Sequence, residues 1–265
     1  KTLFPYTTLF RSGHLLNRLI PPLAQYNIPA PISGGLLVKR FLDDRRTESE
    51  FADLQSMIDT AATPAPAGEN VNPNGARFAA LRDKNSDFVG WISIDGTNLD
   101  FPVMYAPDNK DFYLRHDFNK AYSVYGVPYL DEQTTLGANA ESDNLIIYGH
   151  NMKTGTIFGC LTEYRKADYY QEHPFIEFDT VYGDAKYEVF GAFTIDVVND
   201  TSFIYNQYID MDEDTYNRYV DQVISRSDVD SGIRPAYGEQ LLTLSTCEYS
   251  SANGRYVVVA RRVSD

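Results

Sequence analysis

Short alternating hydrophobic segments dominate the chain from Phe88 onward, and this period-two pattern predicts β-strands. Each segment is rich in Val, Ile, Tyr and Phe and is bounded by Gly, Asp or Asn turn residues. The predicted strands are Phe88–Ile94, Leu99–Met104, Val127–Leu130, Asn144–Tyr148, Phe175–Phe178, Tyr187–Val198, Gln240–Thr246 and Tyr256–Val263. These eight segments predict a mainly β fold, either a closed barrel or a sandwich, because both limit unpaired sheet edges.

One helix is predicted to interrupt the strands, over residues 213–226. Asp212 is suited to cap its first turn, and acidic residues follow at the positive end of the helix dipole. The apolar stripe that would face the core consists of Tyr216, Tyr219, Val220, Val223 and Ile224.

The segment before the strands is predicted to hold two helices joined by a linker. Thr47 and Glu50 have the spacing of a capping box, which predicts a helix beginning at Thr47. Residues 63–75 are rich in Pro, Gly and Asn and predict a linker. A short second helix is predicted over residues 76–84.

Residues 1–40 lack the hydrophobic periodicity that the rest of the chain shows. Prolines break up any helix in this stretch, and its start shows neither sustained periodicity nor the layout of a signal peptide. We expect 1–40 to be a non-native or disordered head. A helical segment at 41–85 and a β-domain at 86–265 are expected to follow.

Composition narrows the possible functions. The chain has 37 acidic and 23 basic side chains, for a net charge of −14, so we expect no nucleic-acid partner. Two cysteines are too few for a disulfide scaffold or a thiolate-only zinc site, and no carboxylate cluster indicates calcium. No stretch reaches the roughly 18 apolar residues of a membrane-spanning helix.

Two chemically reactive side chains stand at predicted strand ends, where functional groups are commonly displayed. Cys247 follows one strand and faces a loop, and His150 follows another and opens a loop that contains Gly155. A cysteine nucleophile needs a proton partner, which is usually a histidine. By position alone, a packing role for Cys247 and a structural role for His150 are favoured over catalysis, and both alternatives stay open.

Arg255 lies eight residues after Cys247 and opens the next predicted strand. If the intervening loop is a hairpin, its guanidinium returns close to the thiol and can stabilise an oxyanion. A surface arginine at a strand edge is the alternative. Cys160 has apolar neighbours and is expected to pack in the core, although a disulfide with Cys247 is possible by count. His116 and His173 are expected to be exposed.

Two motifs resemble those of the sortases. The run ThrLeuSerThrCys at 243–247, with Arg255 opening the next strand, resembles the signature of that family. The run IleIleTyrGlyHisAsn at 146–151 resembles its histidine motif.

Further segments are similar to those of class B sortases in particular. Residues 87–97 and 101–104 resemble the opening strands of that class. The predicted helix at 213–226 matches the extra helix that the class carries between its sixth and seventh strands. The resemblance covers roughly residues 41–265 and implies an eight-stranded sortase β-barrel with N-terminal helices.

The resemblance also implies cysteine transpeptidation, with Cys247, His150 and Arg255 as the catalytic residues. The thiolate would attack a carbonyl in a C-terminal sorting motif of a secreted surface protein and form a thioester. An amine of a peptidoglycan precursor would then resolve the thioester. We expect no cofactor and no metal.

The same resemblance places peptide-binding residues at Tyr148, Ser245, Glu248, Leu114, Phe203 and Ile204. Core packing is the alternative for Leu114, Phe203 and Ile204. In class B relatives an acidic residue at the position of Glu248 lines the pocket. Adjacent strand residues point to opposite faces, which argues against Glu248 as an acid that assists Cys247 and His150 directly.

Sortases are usually held at the outer face of Gram-positive cells by an N-terminal membrane helix. The basic head at 1–40 occupies the place of that anchor, so we expect an extracellular enzyme whose anchor is missing. Three alternatives stay open: a sortase of another class such as a pilus polymerase, a non-catalytic β-barrel binding module, and a papain-like or amidase hydrolase. The last fits less well, because His150 precedes Cys247.

Overall fold

A computed structural model describes residues 45–59, 74–152 and 154–263. The predicted head at 1–40 and nearly all of the predicted linker lie outside these residues. The chain divides into two units, and the second, Ser49–Asp265, contains every strand of the described residues. The domain boundary near residue 85 stays a prediction.

The strands of the described residues form a closed eight-stranded barrel with one small additional hairpin, which confirms the mainly β prediction. In chain order they are β1 (Phe88–Ser93), β2 (Asp100–Met104), β3 (Tyr129–Leu130), β4 (Leu136–Gly137), β5 (Ala140–Glu141), β6 (Asn144–Tyr148), β7 (Phe175–Thr180), β8 (Lys186–Asp196), β9 (Leu241–Glu248) and β10 (Gly254–Val263). The order around the barrel is β1-β2-β3-β6-β9-β10-β8-β7, and β7 pairs with β1 to close it. Each of the eight predicted strands corresponds to a barrel strand. The β4–β5 hairpin was not predicted, because two-residue strands carry no periodicity.

Alternate residues of the barrel strands point to opposite faces of the barrel wall and enter separate cores, as the period of two requires. In β10, Tyr256 and Val258 belong to a cluster with residues of all the longer barrel strands, whereas Val257 and Val259 belong to a second cluster. The second cluster includes the apolar face of helix α4 (Glu213–Arg226). The barrel wall therefore has an inner face and an outer face, and the outer face is covered by α4 along β8, β9 and β10.

Helix α4 agrees closely with its prediction. The Asp212 side chain accepts a hydrogen bond from the Thr215 backbone N–H at 2.8 Å and so caps the helix. Four residues of the predicted stripe are buried, while Ile224 is 39% exposed. The stripe is therefore one residue narrower than predicted.

The other helices depart from the predictions. Helix α1 spans residues 45–55, so it begins before Thr47 and the predicted capping box does not start it. Helix α2 (Ala79–Lys84) follows a turn at 74–78 and is shorter than predicted. A 3₁₀ helix (Gly159–Arg165) and helix α3 (Ala167–Glu172) were not predicted, because each is too short to show a clear helical period.

Strand pairing brings three strand ends together. Strand β6 runs parallel to β9, so both end at the same edge of the barrel. Strand β10 runs antiparallel to β9 and therefore begins at that edge. The residues that follow β6, end β9 and begin β10 are consequently neighbours, although β6 and β9 lie far apart in sequence.

Candidate active site

A cavity of about 500 Å³ opens at the edge where β6 and β9 end and β10 begins. Its lining includes eight of the nine site residues predicted from the sequence: His150, Cys247, Arg255, Tyr148, Ser245, Leu114, Phe203 and Ile204. The exception is Glu248, which lies outside the lining.

Cys247 and Arg255 are cross-strand partners in the β9–β10 pair. Directly opposite residues of an antiparallel pair point to the same face, with Cβ atoms about 4.5–5.5 Å apart. The hairpin expected between them is therefore present, and the guanidinium leaves the barrel on the same face as the thiol. Arg255 Nη1 also donates a hydrogen bond to the Gly254 carbonyl at 2.9 Å.

His150 lies just beyond the end of β6, level with the end of β9. The parallel ladder pairs Tyr148 with Ser245, and the Gly149 N–H extends it by donating to the Ser245 carbonyl at 3.1 Å. His150 and Cys247, each two residues after that pair, therefore reach the cavity side by side.

The imidazole of His150 is oriented by a backbone carbonyl. Its Nε2 lies 2.8 Å from the Leu114 carbonyl oxygen, and because a carbonyl only accepts, Nε2 carries the hydrogen. In the neutral ring the lone pair is then on Nδ1. Burial lowers the pKa of His150 below its ordinary value, the nearby positive charge of Arg115 lowers it further, and the Leu114 hydrogen bond opposes both. His150 is therefore mainly neutral at neutral pH.

Tyrosine and serine hydroxyls form the polar part of the cavity wall. Tyr148 donates to the buried carboxylate of Asp131 at 2.8 Å, and the hydroxyls of Tyr205 and Ser245 lie 2.7 Å apart. Burial raises the pKa values of Tyr148 and Tyr205, so both phenols stay neutral donors. Sequence reasoning missed Tyr205 and Asp131. The only local signal for Asp131 was its position directly after the predicted strand that ends at Leu130.

The apolar part of the wall combines a packed residue with an exposed one. Phe203 is buried, and its ring lies 5.6 Å from that of Tyr219 on α4, so it belongs both to the core and to the cavity. Ile204 is 44% exposed. Leu114 ends a short 3₁₀ helix (Phe112–Leu114) on the side of His150. An extended peptide could lie between these surfaces.

Glu248 does not line the cavity, which corrects the expectation taken from the resemblance. Strand alternation turns it to the inner face of the barrel wall, away from the thiol of Cys247. There one carboxylate oxygen lies 3.1 Å from Arg165 Nη2, and the other accepts from the backbone N–H and hydroxyl of Ser250. Burial would raise the pKa of Glu248, but the Ser250 hydrogen bonds and the Arg165 charge outweigh it and lower that pKa.

Cys160 is not bonded to Cys247 and lies in a different environment. Both cysteines are free, so the disulfide that their number allowed is not formed. Cys160 packs against the inner core, and burial raises the pKa of its thiol. His116 and His173 are half-buried rather than exposed, and each donates from Nδ1 to a backbone carbonyl.

Among the residues that the structure describes, no cluster of three or more His, Cys, Asp and Glu side chains is arranged to hold a metal ion. No helix in those same ranges has the length and apolar character needed to cross a membrane.

Comparison with known proteins identifies the family. A model of the sortase domain matches residues 92–263, which include almost the whole barrel. Sortase B of Staphylococcus aureus (strain NCTC 8325 / PS 47) is 31% identical over 232 residues, covering 87% of this chain and 90% of that protein.

Solved structures agree with the sequence comparison. The chain superposes on a Staphylococcus aureus sortase B–substrate complex with a TM-score of 0.72 and 29% identity, covering 84% of this chain and 99% of that one. It superposes on sortase B complexed with triglycine with a TM-score of 0.70 and 30% identity, covering 83% and 99% of the two chains. The sequence and the fold together show that the chain belongs to the sortase family of cysteine transpeptidases, within class B.

Proposed function

We propose that this enzyme joins secreted surface proteins to peptidoglycan through a thioester on Cys247, with His150 and Arg255 as its catalytic partners. The observation that carries the proposal is the convergence of these three residues on one cavity of a sortase barrel. Sortases act on cell-surface proteins of Gram-positive bacteria, and we place this chain's activity on the extracellular face of the membrane.

In the first half-reaction, the Cys247 thiolate attacks the carbonyl carbon of the scissile peptide bond in the sorting motif. The S–C bond forms, the C–N bond breaks, and the leaving amine takes a proton from imidazolium Nδ1 of His150. Nδ1 is the exchanging nitrogen because Nε2–H is held by the Leu114 carbonyl.

Arg255 stabilises the oxyanion of each tetrahedral intermediate. Its position opposite Cys247 brings a permanent cation to the atom that attacks the carbonyl. The planar guanidinium presents several N–H donors in a fixed geometry, so it can follow the oxygen as charge develops.

In the second half-reaction, an amine attacks the thioester and His150 Nδ1 accepts its proton. The C–N bond forms and the Cys247 thiolate leaves, which restores the enzyme. A neighbour solved with substrate and another solved with triglycine support a peptide donor and an amine acceptor. We propose a peptidoglycan precursor amine as the acceptor for this chain.

The peptide donor would lie along the wall formed by Leu114, Tyr148, Phe203, Ile204 and Ser245, which we propose as the binding residues. The wall is apolar on the side of Phe203 and Ile204 and offers phenol and hydroxyl groups on the other. It suits an extended segment that combines small apolar and hydrogen-bonding side chains.

The test is a peptide-library cleavage assay with and without a glycine-based or stem-peptide amine. A sortase of this mechanism cleaves one motif class and, at saturating amine, releases the ligated peptide as the main product. Clear preference for water over amines at saturation would instead indicate a hydrolase. A polymerised surface protein as the main product would indicate a pilus polymerase.

A further inference from the structure

The backbone pairing that aligns the histidine segment with the cysteine strand stops before the catalytic residues. The last regular pair of the β6–β9 ladder joins Tyr148 to Ser245. One further backbone bond, from Gly149 N–H to the Ser245 carbonyl, extends the alignment by a single residue. His150 and Cys247 therefore lie beyond the ladder of that strand pair.

Side chains continue the alignment where the ladder ends. The buried Thr246 hydroxyl donates to the Gly149 carbonyl at 2.7 Å, which fixes the peptide just before His150. The Asn151 side-chain amide donates to the Cys247 carbonyl at 2.9 Å. The Tyr249 hydroxyl donates to the Asn151 carbonyl, also at 2.9 Å.

Asn151 and Tyr249 thus make reciprocal contacts across the two segments. Asn151 reaches from the histidine loop to the backbone of the nucleophile, and Tyr249 reaches from the loop after the nucleophile back to Asn151. We propose that Asn151 and Tyr249 form a latch of positioning residues that holds the His150 ring in register with the Cys247 thiol.

The exposure of Tyr249 distinguishes this role from general packing. Its side chain is 66% exposed and is therefore not a core residue. Loss of its hydroxyl leaves the barrel core intact and removes one contact, on the peptide that follows Asn151. Proton transfer in the transition state requires heavy atoms within hydrogen-bond reach, so a small displacement of the ring slows this step.

The inference rests on the proposed role of His150 as the acid that protonates the leaving amine. The latch can be tested separately from that role by comparing substrates with two different leaving groups in single-turnover acylation. An amide substrate needs a proton from His150 as its C–N bond breaks. A matched thioester substrate does not, because a thiol of pKa about 8.5 leaves readily as its thiolate.

For the amide peptide, we expect Tyr249→Phe to lower the single-turnover acylation rate about three- to tenfold with little change in KM. The rate for the matched thioester peptide should stay within about twofold of wild type, because it bypasses proton donation. Asn151→Ala should give the same pattern with a larger loss. Tyr237→Phe is the matched control, because Tyr237 is 50% exposed and lies outside the cavity lining.

His150→Ala serves as the reference that tests the underlying role. It should abolish amide acylation and spare the thioester; if it spares both, the proposed role of His150 fails, and the latch with it. If His150→Ala behaves as expected but Tyr249→Phe equals wild type, the latch alone is wrong. Two other results for Tyr249→Phe would also overturn the latch. Equal rate losses on both substrates would indicate damage to Cys247, and a change confined to KM would indicate a contact with the peptide substrate.

Discussion

Arg255 is the direct cross-strand partner of Cys247 in the β9–β10 hairpin. The separation of their Cβ atoms is therefore set by the regular spacing of an antiparallel pair and does not depend on loop conformation. In the proposed mechanism, a guanidinium placed this way is available to the oxyanion before the substrate arrives, which is the condition for electrostatic preorganisation. His150, by contrast, lies beyond the end of the β6–β9 ladder, and its ring is oriented by the Leu114 carbonyl.

Replacing Arg255 by Lys should nearly abolish transpeptidation although the positive charge is retained. A shorter array of donors on a flexible stem cannot reproduce the planar fork opposite Cys247. We expect kcat/KM to fall about a hundredfold or more, the usual cost of losing an oxyanion donor. The rate at which a small neutral reagent alkylates Cys247 should differ little between Arg255→Lys and wild type. Wild-type turnover in Arg255→Lys would mean that only the charge matters.

The pH profile should respond to Arg115, whose positive charge adds to burial in lowering the pKa of His150. Arg115→Gln removes this repulsion of the imidazolium, so the pKa of His150 rises towards its ordinary value. The acidic limb of the kcat/KM profile should then shift to higher pH. The rate at the optimum should increase, because the thiolate–imidazolium pair becomes more populated.

Arg218→Gln is a suitable control for the pH experiment. Arg218 is exposed on α4, where its guanidinium donates to Thr215, and it lies outside the cavity lining. Its substitution should leave both limbs unchanged. An unshifted acidic limb in Arg115→Gln would show that Arg115 does not act on the titrating group.

Glu248→Gln should leave most of the activity and lower stability. The carboxylate points away from Cys247 and holds Arg165 and Ser250, so it supports the β9–β10 turn without contacting the substrate. We expect kcat/KM within about threefold of wild type and a loss of roughly 1 kcal/mol in the free energy of unfolding, since the Arg165 side chain is 41% exposed. Thermal melting and peptide cleavage measure the two effects. Complete loss of cleavage in a folded variant would assign the carboxylate a catalytic role.

Arg226 at the end of α4 should affect peptide binding more than chemistry. Its guanidinium contacts Asp200 at 3.2 Å and the Ser202 hydroxyl at 3.0 Å, and it lies over the Phe203 ring. It therefore fixes the loop that supplies Phe203 and Ile204 to the cavity. Arg226→Ala should raise KM about three- to tenfold with kcat nearly unchanged, which corresponds to roughly 1 kcal/mol.

The matched control for this experiment is Arg234→Ala. Arg234 forms a surface ion pair with Asp221, which lies on α4 as Arg226 does. Arg234 itself lies away from the cavity lining. An equal rise in KM for both variants would show that the effect of Arg226 is not local to the loop.

Local patterns predicted the elements of this fold well because the barrel strands carry strong alternation and α4 carries both a cap and a stripe. The same patterns indicated that Cys247 and Arg255 would meet if the loop between them were a hairpin, and the structure shows that hairpin. The short 3₁₀ helix at Gly159–Arg165 gave no such signal. Its last residue, Arg165, is nevertheless the partner that determines the environment of Glu248.

Contacts between distant segments could not be predicted from one sequence. Thr246 bonds to the Gly149 carbonyl and Asn151 to the Cys247 carbonyl across nearly one hundred residues of chain, and nothing local marks these partners. For Glu248 the two lines of reasoning disagreed. Strand alternation indicated that it faces away from Cys247, and the resemblance placed it in the pocket; the alternation agrees with the structure.

The most direct test of the account is the intact mass of the enzyme after mixing with a sorting-motif peptide in the absence of amine. The account predicts an added mass equal to the acyl fragment, located on the peptide that contains Cys247, absent in Cys247→Ala and removed by hydroxylamine. Cys160→Ala should acquire the same adduct as wild type. Peptide cleavage by Cys247→Ala, or an adduct located on Cys160, would contradict it.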